Sequence, residues 1–427
     1  MDKFLTFTIA GLSTAAIYAI AASGLVVTYT TSGIFNFAHG AFGMLAAFAY
    51  WQVNQGWGVP VVPSVIIVVF VMAPLFGAGI ERGIMRGIEG ASEVVKIVVT
   101  VSLMVALLGL ANVIWPPDIA RPVPPFFAGK TMEIAGVAVP YSRILTMAIA
   151  IAVAVGLRLV LRRTRLGVAM RAIVDDRALL QLNGGRPGRT AMLAWAIGAG
   201  LAAVSGVLIA SEQTLSAVTL TLLVINAYAV AVVGRLRSLP GAFLGAVVLG
   251  LAESYATGYI DPSVAVGPIS LQNLRTAIPA VMLFVVIMVQ PEARLRAHGV
   301  SRPRSPARPP SQANAVWGGI ALVLVAAGVG SLLSGPDLNL VSKGVGFALI
   351  TLSLVPLTGY AGQISLAQMT FTGIGALAMA TWGATGSPIG VVVAVVLCAV
   401  VGGLVALPAL RLSGIYLALA TAAFALF

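Results

Sequence analysis

Long apolar runs separated by short polar segments set the rhythm of this chain. Runs of about 16 to 25 residues have the length of membrane spans. The pattern predicts spans near 4–29, 37–54, 60–80, 94–114, 142–161, 190–210, 218–234, 239–257 and 274–290. Further spans follow near 316–333, 344–358, 362–382, 388–407 and 412–427. In lipid each run must satisfy its own backbone hydrogen bonds, so helices are expected, and the Gly/Ala-rich pattern argues against a β-barrel. The sequence is therefore read as an all-α, polytopic transmembrane protein.

One segment breaks the rhythm. Residues 291–314, PEARLRAHGVSRPRSPARPPSQAN, hold five arginines and five prolines and cannot span. Pro-rich segments form extended spacers, so the expected organisation is a first half over 1–290, a linker over 291–314 and a second half over 315–427. An offset of 329 lays the first half on the second without gaps. It pairs Asn36 with Ser365 and His39 with Gln368, and brings Ala19, Leu25, Val26, Gly33, Ala38, Phe42, Ala47 and Ala49 onto identical residues. Both copies are predicted to cross in the same sense, as in a parallel repeat about an axis along the membrane normal. After Arg411 only sixteen apolar residues remain, so the second copy is expected to be incomplete.

Composition sharpens this picture at one point. The chain is 59% hydrophobic, 9% charged and carries a net charge of +12. With the N-terminus outside, 19 of the 25 basic residues fall on inner loops, as the positive-inside rule requires. The basic excess is thus topology, and a nucleic-acid partner is not implied. The 291–314 linker falls on the cytoplasmic side. Cys398, the single cysteine, lies in an apolar run and allows neither a disulfide framework nor a cysteine metal site within the chain.

Two polar interruptions carry candidate chemistry. In SGIFNFAHGAF, residues 32–42, Gly33 and Gly40 bracket Asn36 and His39, and GQISLAQMTF, 362–371, repeats the interruption. Glycine weakens a helix, and a broken helix is tolerated at membrane depth only where it lines a cavity or packs on protein. Asn36 and His39, at i and i+3, are expected to share one face of a helix beginning there. Two readings stand side by side: a substrate pathway lined by Asn36, His39, Gly40, Ser365 and Gln368, or a plain cytoplasmic turn followed by an interhelical hydrogen bond. Glu253 joins the pathway candidates as an intramembrane acid, although its place near the outer end of a span also permits snorkelling.

The inner loop RRTRLGVAMRAIVDDRALLQLNGGRPGR, 162–189, predicts one amphipathic helix over about 167–182, with Met170, Ile173, Val174 and Leu180 available for an apolar face and Gly184 as its stop. Such a loop suits either a cytoplasmic partner or the lipid interface. GKT at 129–131 lacks the earlier glycine of a phosphate loop, and two histidines without paired carboxylates supply no catalytic or metal constellation.

IYAIAASGLVVTYTTSGIFNFAHGAFGMLAAF resembles the first permease of branched-chain amino acid ABC importers, with its N-F-A-H-G signature. RLGVAMRAIVDDRALLQLNGG is similar to the family's ATPase-contacting loop, and the resemblance runs on to about residue 291. LTGYAGQISLAQMTFTGIGALAMATW and LPALRLSGIYLALAT resemble the start of the companion permease, which implies a fusion of the two. Arg235 and Arg237 stand where the family has glycines, Gln368 where the companion has histidine, and Leu180 where the loop has alanine. The resemblance implies a bacterial inner-membrane importer with two cytoplasmic ATPases that bind ATP, an extracytoplasmic binding protein that delivers leucine, isoleucine or valine, and no cofactor on this chain. Related permeases are assigned to urea, short amides or other amino acids, which stand as the alternative cargo. It also implies that Gly167, Arg171, Asp175, Asp176 and Gly184 belong to the coupling loop. An ion-coupled secondary transporter is disfavoured because no span centre holds a convincing acidic coupling residue.

Overall fold

The computed structural model describes residues 2–212, 214–261, 265–266, 269–270, 274–289, 311–384, 386–409, 412 and 414–426. Contacts divide the chain into two compact units, Met1–Pro291 with Leu426–Phe427, and Glu292–Ala425. Among the described residues nine helices are long and apolar enough to cross a membrane. The protein is all-α and polytopic.

In the first unit, α1 (Asp2–Ser32) and α9 (Pro187–Ala210) form the centre. On them pack α2 (His39–Trp51), α4 (Ala73–Gly83) and α6 (Tyr141–Arg163), while α3 (Val61–Val65) precedes α4 and α5 (Glu93–Ile114) packs on α2. Two short helices follow α6, α7 (Arg165–Asp175) and α8 (Arg177–Leu182). The later elements are α10 (Ala217–Leu222), α11 (Val224–Val233), α12 (Leu239–Tyr259) and α13 (Leu274–Val289). Lipid-embedded helices gain little from the hydrophobic effect and associate through close packing of small residues. Here a β-carbon on Gly43 of α2 would stand 2.9 Å from the Ala202 carbonyl oxygen of α9, and one on Gly206 would collide with the Gly43 backbone. Gly11 of α1 and Gly250 of α12 meet in the same way. One core gathers Ile34, Phe42, Met44, Trp195, Val207 and Leu220, and a second gathers Ile17, Ile20, Val27, Leu157, Met170 and Leu201.

Beyond α5 the chain forms a hairpin that the apolar pattern did not signal, β1 (Thr131–Ile134) antiparallel to β2 (Val137–Pro140). Buried Arg121 donates to the carbonyls of Pro116 and Ile119 and lies over the ring of Trp51.

Two helices end in the same six-residue motif with different residues at its left-handed position. After α8, Gly184 (φ +77°) donates to Gln181 and Gly185 to Leu180. After α11, Arg235 (φ +53°) donates to Val232 and Leu236 to Ala231. Both are Schellman terminations, whose left-handed residue is usually glycine. The arginine that departs from the family pattern therefore sits where a β-carbon is penalised.

The second unit contains α14 (Gln312–Leu332), α15 (Pro336–Leu352), α16 (Gln368–Trp382), α17 (Ile389–Ala409) and α18 (Gly414–Leu426). Here α16 packs on α17, where the Cys398 thiol donates to the Phe371 carbonyl, and on α18 through Phe371–Phe424.

The expected spans need four corrections. The run 37–54 starts as a helix only at His39, and 362–382 only at Gln368. The run 218–234 is interrupted at Leu223, leaving two short helices. The run 344–358 belongs to a longer helical stretch, Pro336–Tyr360. Of the linker expected at 291–314, residues 291–310 lie outside the described residues, while Ser311 caps α14 and 312–314 form its first turn.

Gly206→Val should lower the melting temperature of the detergent-purified protein, through overpacking worth about 1–3 kcal/mol. Gly318→Val, at a glycine with open space around it, should leave the melting temperature almost unchanged. Equal effects would contradict the close-packing account. Arg235→Gly should raise stability by roughly 0.5–1 kcal/mol, the left-handed penalty less the glycine's added chain entropy, measured by the same melt.

Candidate functional site

Gly33 (φ +64°) ends α1, and residues 34–38 run without helix to His39. Asn36 organises this buried peptide. Its Oδ1 accepts from the Ala38 amide at 3.0 Å, and its carbonyl accepts from the His39 amide at 3.2 Å. An Asn side chain that captures a backbone amide two residues on competes with helix formation. Asn36 therefore precedes α2 instead of sharing a helix face with His39, which corrects the expectation above. The second unit builds the same turn at the paired positions. Gly362 has φ +63°, Ser365 Oγ accepts from the Ala367 amide at 3.3 Å, and α16 begins at Gln368. Ser365 and Gln368 are half-buried within that unit.

A small cavity opens between α1, α2, α9 and the interrupted α10–α11 pair. Ile17, Tyr18 and Ala21 line it from α1, and His39, Gly40, Gly43 and Met44 from α2. Ser205, Gly206 and Ile209 come from α9, and Leu220, Leu223 and Val224 from the α10–α11 pair. Its wall is mostly apolar. His39 and Gly40 are thus brought together at the wall, whereas Asn36 holds the peptide behind it. Each position demands its residue. A β-carbon on Gly24 would stand 2.6 Å from His39 Cε1, and one on Gly40 would overlap the Thr221 carbonyl. The imidazole is 2% exposed and approaches the Ala21 backbone, without full hydrogen-bond geometry at either ring nitrogen.

Glu253 belongs to a chain of polar groups between helices. Tyr18 donates to Glu253 Oε2 at 2.8 Å and accepts from Asn226 Nδ2 at 2.6 Å, joining α1, α12 and α11. On the Ser32 side of the cavity the rings of Phe35, Phe37 and Tyr228 cluster with centroids 4.8–5.6 Å apart. Tyr228 also donates to the Phe37 carbonyl at 2.8 Å. These contacts hold the peptide before α2 against α11. Tyr18, Ser205, Asn226 and Tyr228 escaped the sequence reading, although Asn226, polar within an apolar run, was a visible signal.

The loop helix expected over 167–182 is two helices. Asp176 leaves helical geometry and accepts from the Leu179 amide at 2.9 Å, capping α8. Thr164 caps α7 through the Gly167 amide, and a β-carbon on Gly167 would overlap the carbonyls of Val160 and Leu161. Met170 and Ile173 are buried, with Met170 in the α1–α6–α9 core. Arg171 and Asp176 are exposed, while the side chains of Val174 and Asp175 lie outside the described residues. Leu179 and Leu182 present apolar surface outward, Leu182 at 85% exposure. Beneath this elbow Glu81, buried in α4, pairs with Arg86 at 2.8 Å, and Arg86 donates to the Gly188 carbonyl at the start of α9.

A family model described as branched-chain amino acid transport system / permease component matches residues 7–287, the stretch that builds the break, the cavity and the elbow. The chain belongs to that family. It is 30% identical over 257 residues to the high-affinity branched-chain amino acid transport system permease protein BraD of Pseudomonas aeruginosa, covering 57% of this chain and 83% of BraD. The corresponding LivH proteins of Escherichia coli K12 and Salmonella typhimurium are 24% and 25% identical over 296 residues, covering 66% of this chain and 92% of each LivH. No solved structure is matched. For this permease-family member, the matched range coincides closely with the first compact unit.

Tyr228→Phe strips the Phe37 carbonyl of its buried donor and should cost about 1–3 kcal/mol. Accessibility of a cysteine placed at Phe37 should rise in parallel. Unchanged labelling would show that the Tyr228 bond does not hold the Phe37 peptide in place.

Proposed function

We propose that the chain is the membrane-spanning permease of an ATP-binding-cassette importer for leucine, isoleucine and valine. One conjunction carries this reading: the range matched to the family contains both the cavity at His39 and the exposed α7–α8 elbow. In a bacterial inner membrane, with the N-terminus outside, the basic residues of 158–189 place the elbow in the cytoplasm. Two separate ATPase subunits bind and hydrolyse ATP, and this chain contributes no catalytic group. An extracytoplasmic binding protein delivers substrate to the opposite face.

The geometry supports one route for the coupling. An ATPase subunit grips Leu179 and Leu182 on α8. Its movement passes through Met170 into α1, α6 and α9, and through the Arg86 contact with Gly188 into α4. Asp176 and Gly184 fix the two ends of α8, and Gly167 lets α7 fold closely on α6. Asn36 shapes the break, with Ser365 and Gln368 as its counterpart in a fused companion permease joined by the 291–314 linker. ATP and substrate alter one equilibrium because each binds the two conformations unequally.

Uptake into proteoliposomes tests the reading: leucine accumulation should require the ATPase subunits, ATP and the binding protein. Accumulation driven by a proton or sodium gradient alone would overturn it. Leu182→Glu should preserve insertion and melting temperature while reducing ATPase co-purification and ATP-dependent uptake about tenfold, the cost of removing an apolar anchor at an interface. Normal co-purification would take α8 out of the interface.

A further inference from the structure

One guanidinium ties the end of α4 to the start of α9. Helix α4 stops at Gly83, and a 3₁₀ turn over Met85–Ile88 follows, anchored by the buried Met85. The turn brings Arg86 back onto Glu81. Arg86 Nε donates to Oε1 at 3.3 Å and Nη2 to Oε2 at 2.8 Å. Nη2 also donates to the Gly188 carbonyl at 2.9 Å, one hydrogen for each partner. Glu81 is buried, whereas the Arg86 side chain is 41% exposed. A buried carboxylate without its partner is costly, so Glu81 keeps in one place a guanidinium that could otherwise turn to water. Gly188 lets that guanidinium come close, since a β-carbon there would stand 3.3 Å from Arg86 Cζ and Nη2. The same glycine leaves the start of α9 pliant. About two turns further along α9, a β-carbon on Gly77 of α4 would overlap the Trp195 carbonyl. The two antiparallel helices are therefore joined at two levels, Gly77 with Trp195 and Arg86 with Gly188. Between these levels lie the turns of α9 that directly follow the elbow.

Resting on the permease reading above, we propose that Glu81 is a positioning residue for transport: it holds Arg86 as a clamp on the first turn of α9, so that a displacement of α7–α8 carries α4 and α9 together. An apolar contact at this level would resist separation but allow sliding. A two-point pairing of arginine with carboxylate adds a fixed direction, and Nη2 passes that direction on to the Gly188 carbonyl. Without the clamp the same displacement bends α9 between Gly188 and Trp195. The ATPase subunits then still hydrolyse ATP, and less of their motion reaches the helices of the transport path. Glu81 acts on transport only through Arg86.

The deciding quantity is leucine accumulated per ATP hydrolysed, in proteoliposomes holding the full chain with its ATPase subunits and binding protein. The double variant Glu81→Leu/Arg86→Met removes both charges together, an exchange that buried pairs often tolerate, and leaves no donor for Gly188. It should keep ATPase co-purification and hydrolysis while lowering the leucine-to-ATP ratio at least about threefold. Glu81→Gln leaves Arg86 its carbonyl bond and removes the charge that holds it, so the ratio should fall by a smaller factor. Arg82→Gln, at an exposed arginine of the same helix, removes a positive charge without touching the clamp and should leave the ratio unchanged. A merely structural role lowers uptake and hydrolysis together at constant ratio, and that result in the double variant overturns the proposal. An equal fall in Arg82→Gln does the same. Should the double variant fail to insert, Glu81→Gln decides, and an unchanged ratio there rejects the clamp. An unaltered chain without ATP-dependent uptake rejects the permease reading itself, and the clamp with it.

Discussion

Where Gly43 meets Gly206, and Gly24 meets Gly198, helices touch through bare backbone. In lipid this contact replaces the water-driven collapse that holds soluble cores together. It also fixes how far apart the helices can stand. With α1 and α2 drawn onto α9, the larger side chains of Tyr18, Met44, Ile209 and Leu220 hold open a narrow space instead of filling it. A cavity therefore arises beside the tightest seams in the unit.

The break before α2 obeys a second constraint, that peptide groups buried away from water need partners. Asn36 answers one amide and Tyr228 one carbonyl, while Gly33 supplies the backbone reversal. Ser365 and Gly362 solve the same problem in the second unit with a shorter side chain. Equivalent local geometry from different polar residues explains why the two stretches align weakly by identity yet strongly by function of the turn.

Much of this was legible beforehand because it depends on order along the chain. Long apolar runs announced the spans, and Gly33, Asn36, His39 and Gly184 marked interruptions that the fold uses. What remained hidden depends on neighbours distant in sequence. Tyr18 and Glu253 are 235 residues apart, and Glu81 is tied through Arg86 to the Gly188 carbonyl at the start of α9. Periodicity carries no information about such pairs. The division of the loop helix at Asp176 was missed for a local reason: either of two adjacent aspartates could have stayed helical, and only the capture of the Leu179 amide decides which one leaves.

Helix α11 draws these strands together. It is bounded at Leu223 by an interruption and at Gly234 by a turn with an arginine in a left-handed conformation. Along its ten residues it hydrogen-bonds Tyr18 at one position and the Phe37 carbonyl at another. Through these two bonds a helix of under three turns ties α1 to the peptide before α2, so a change at either contact is felt at the other.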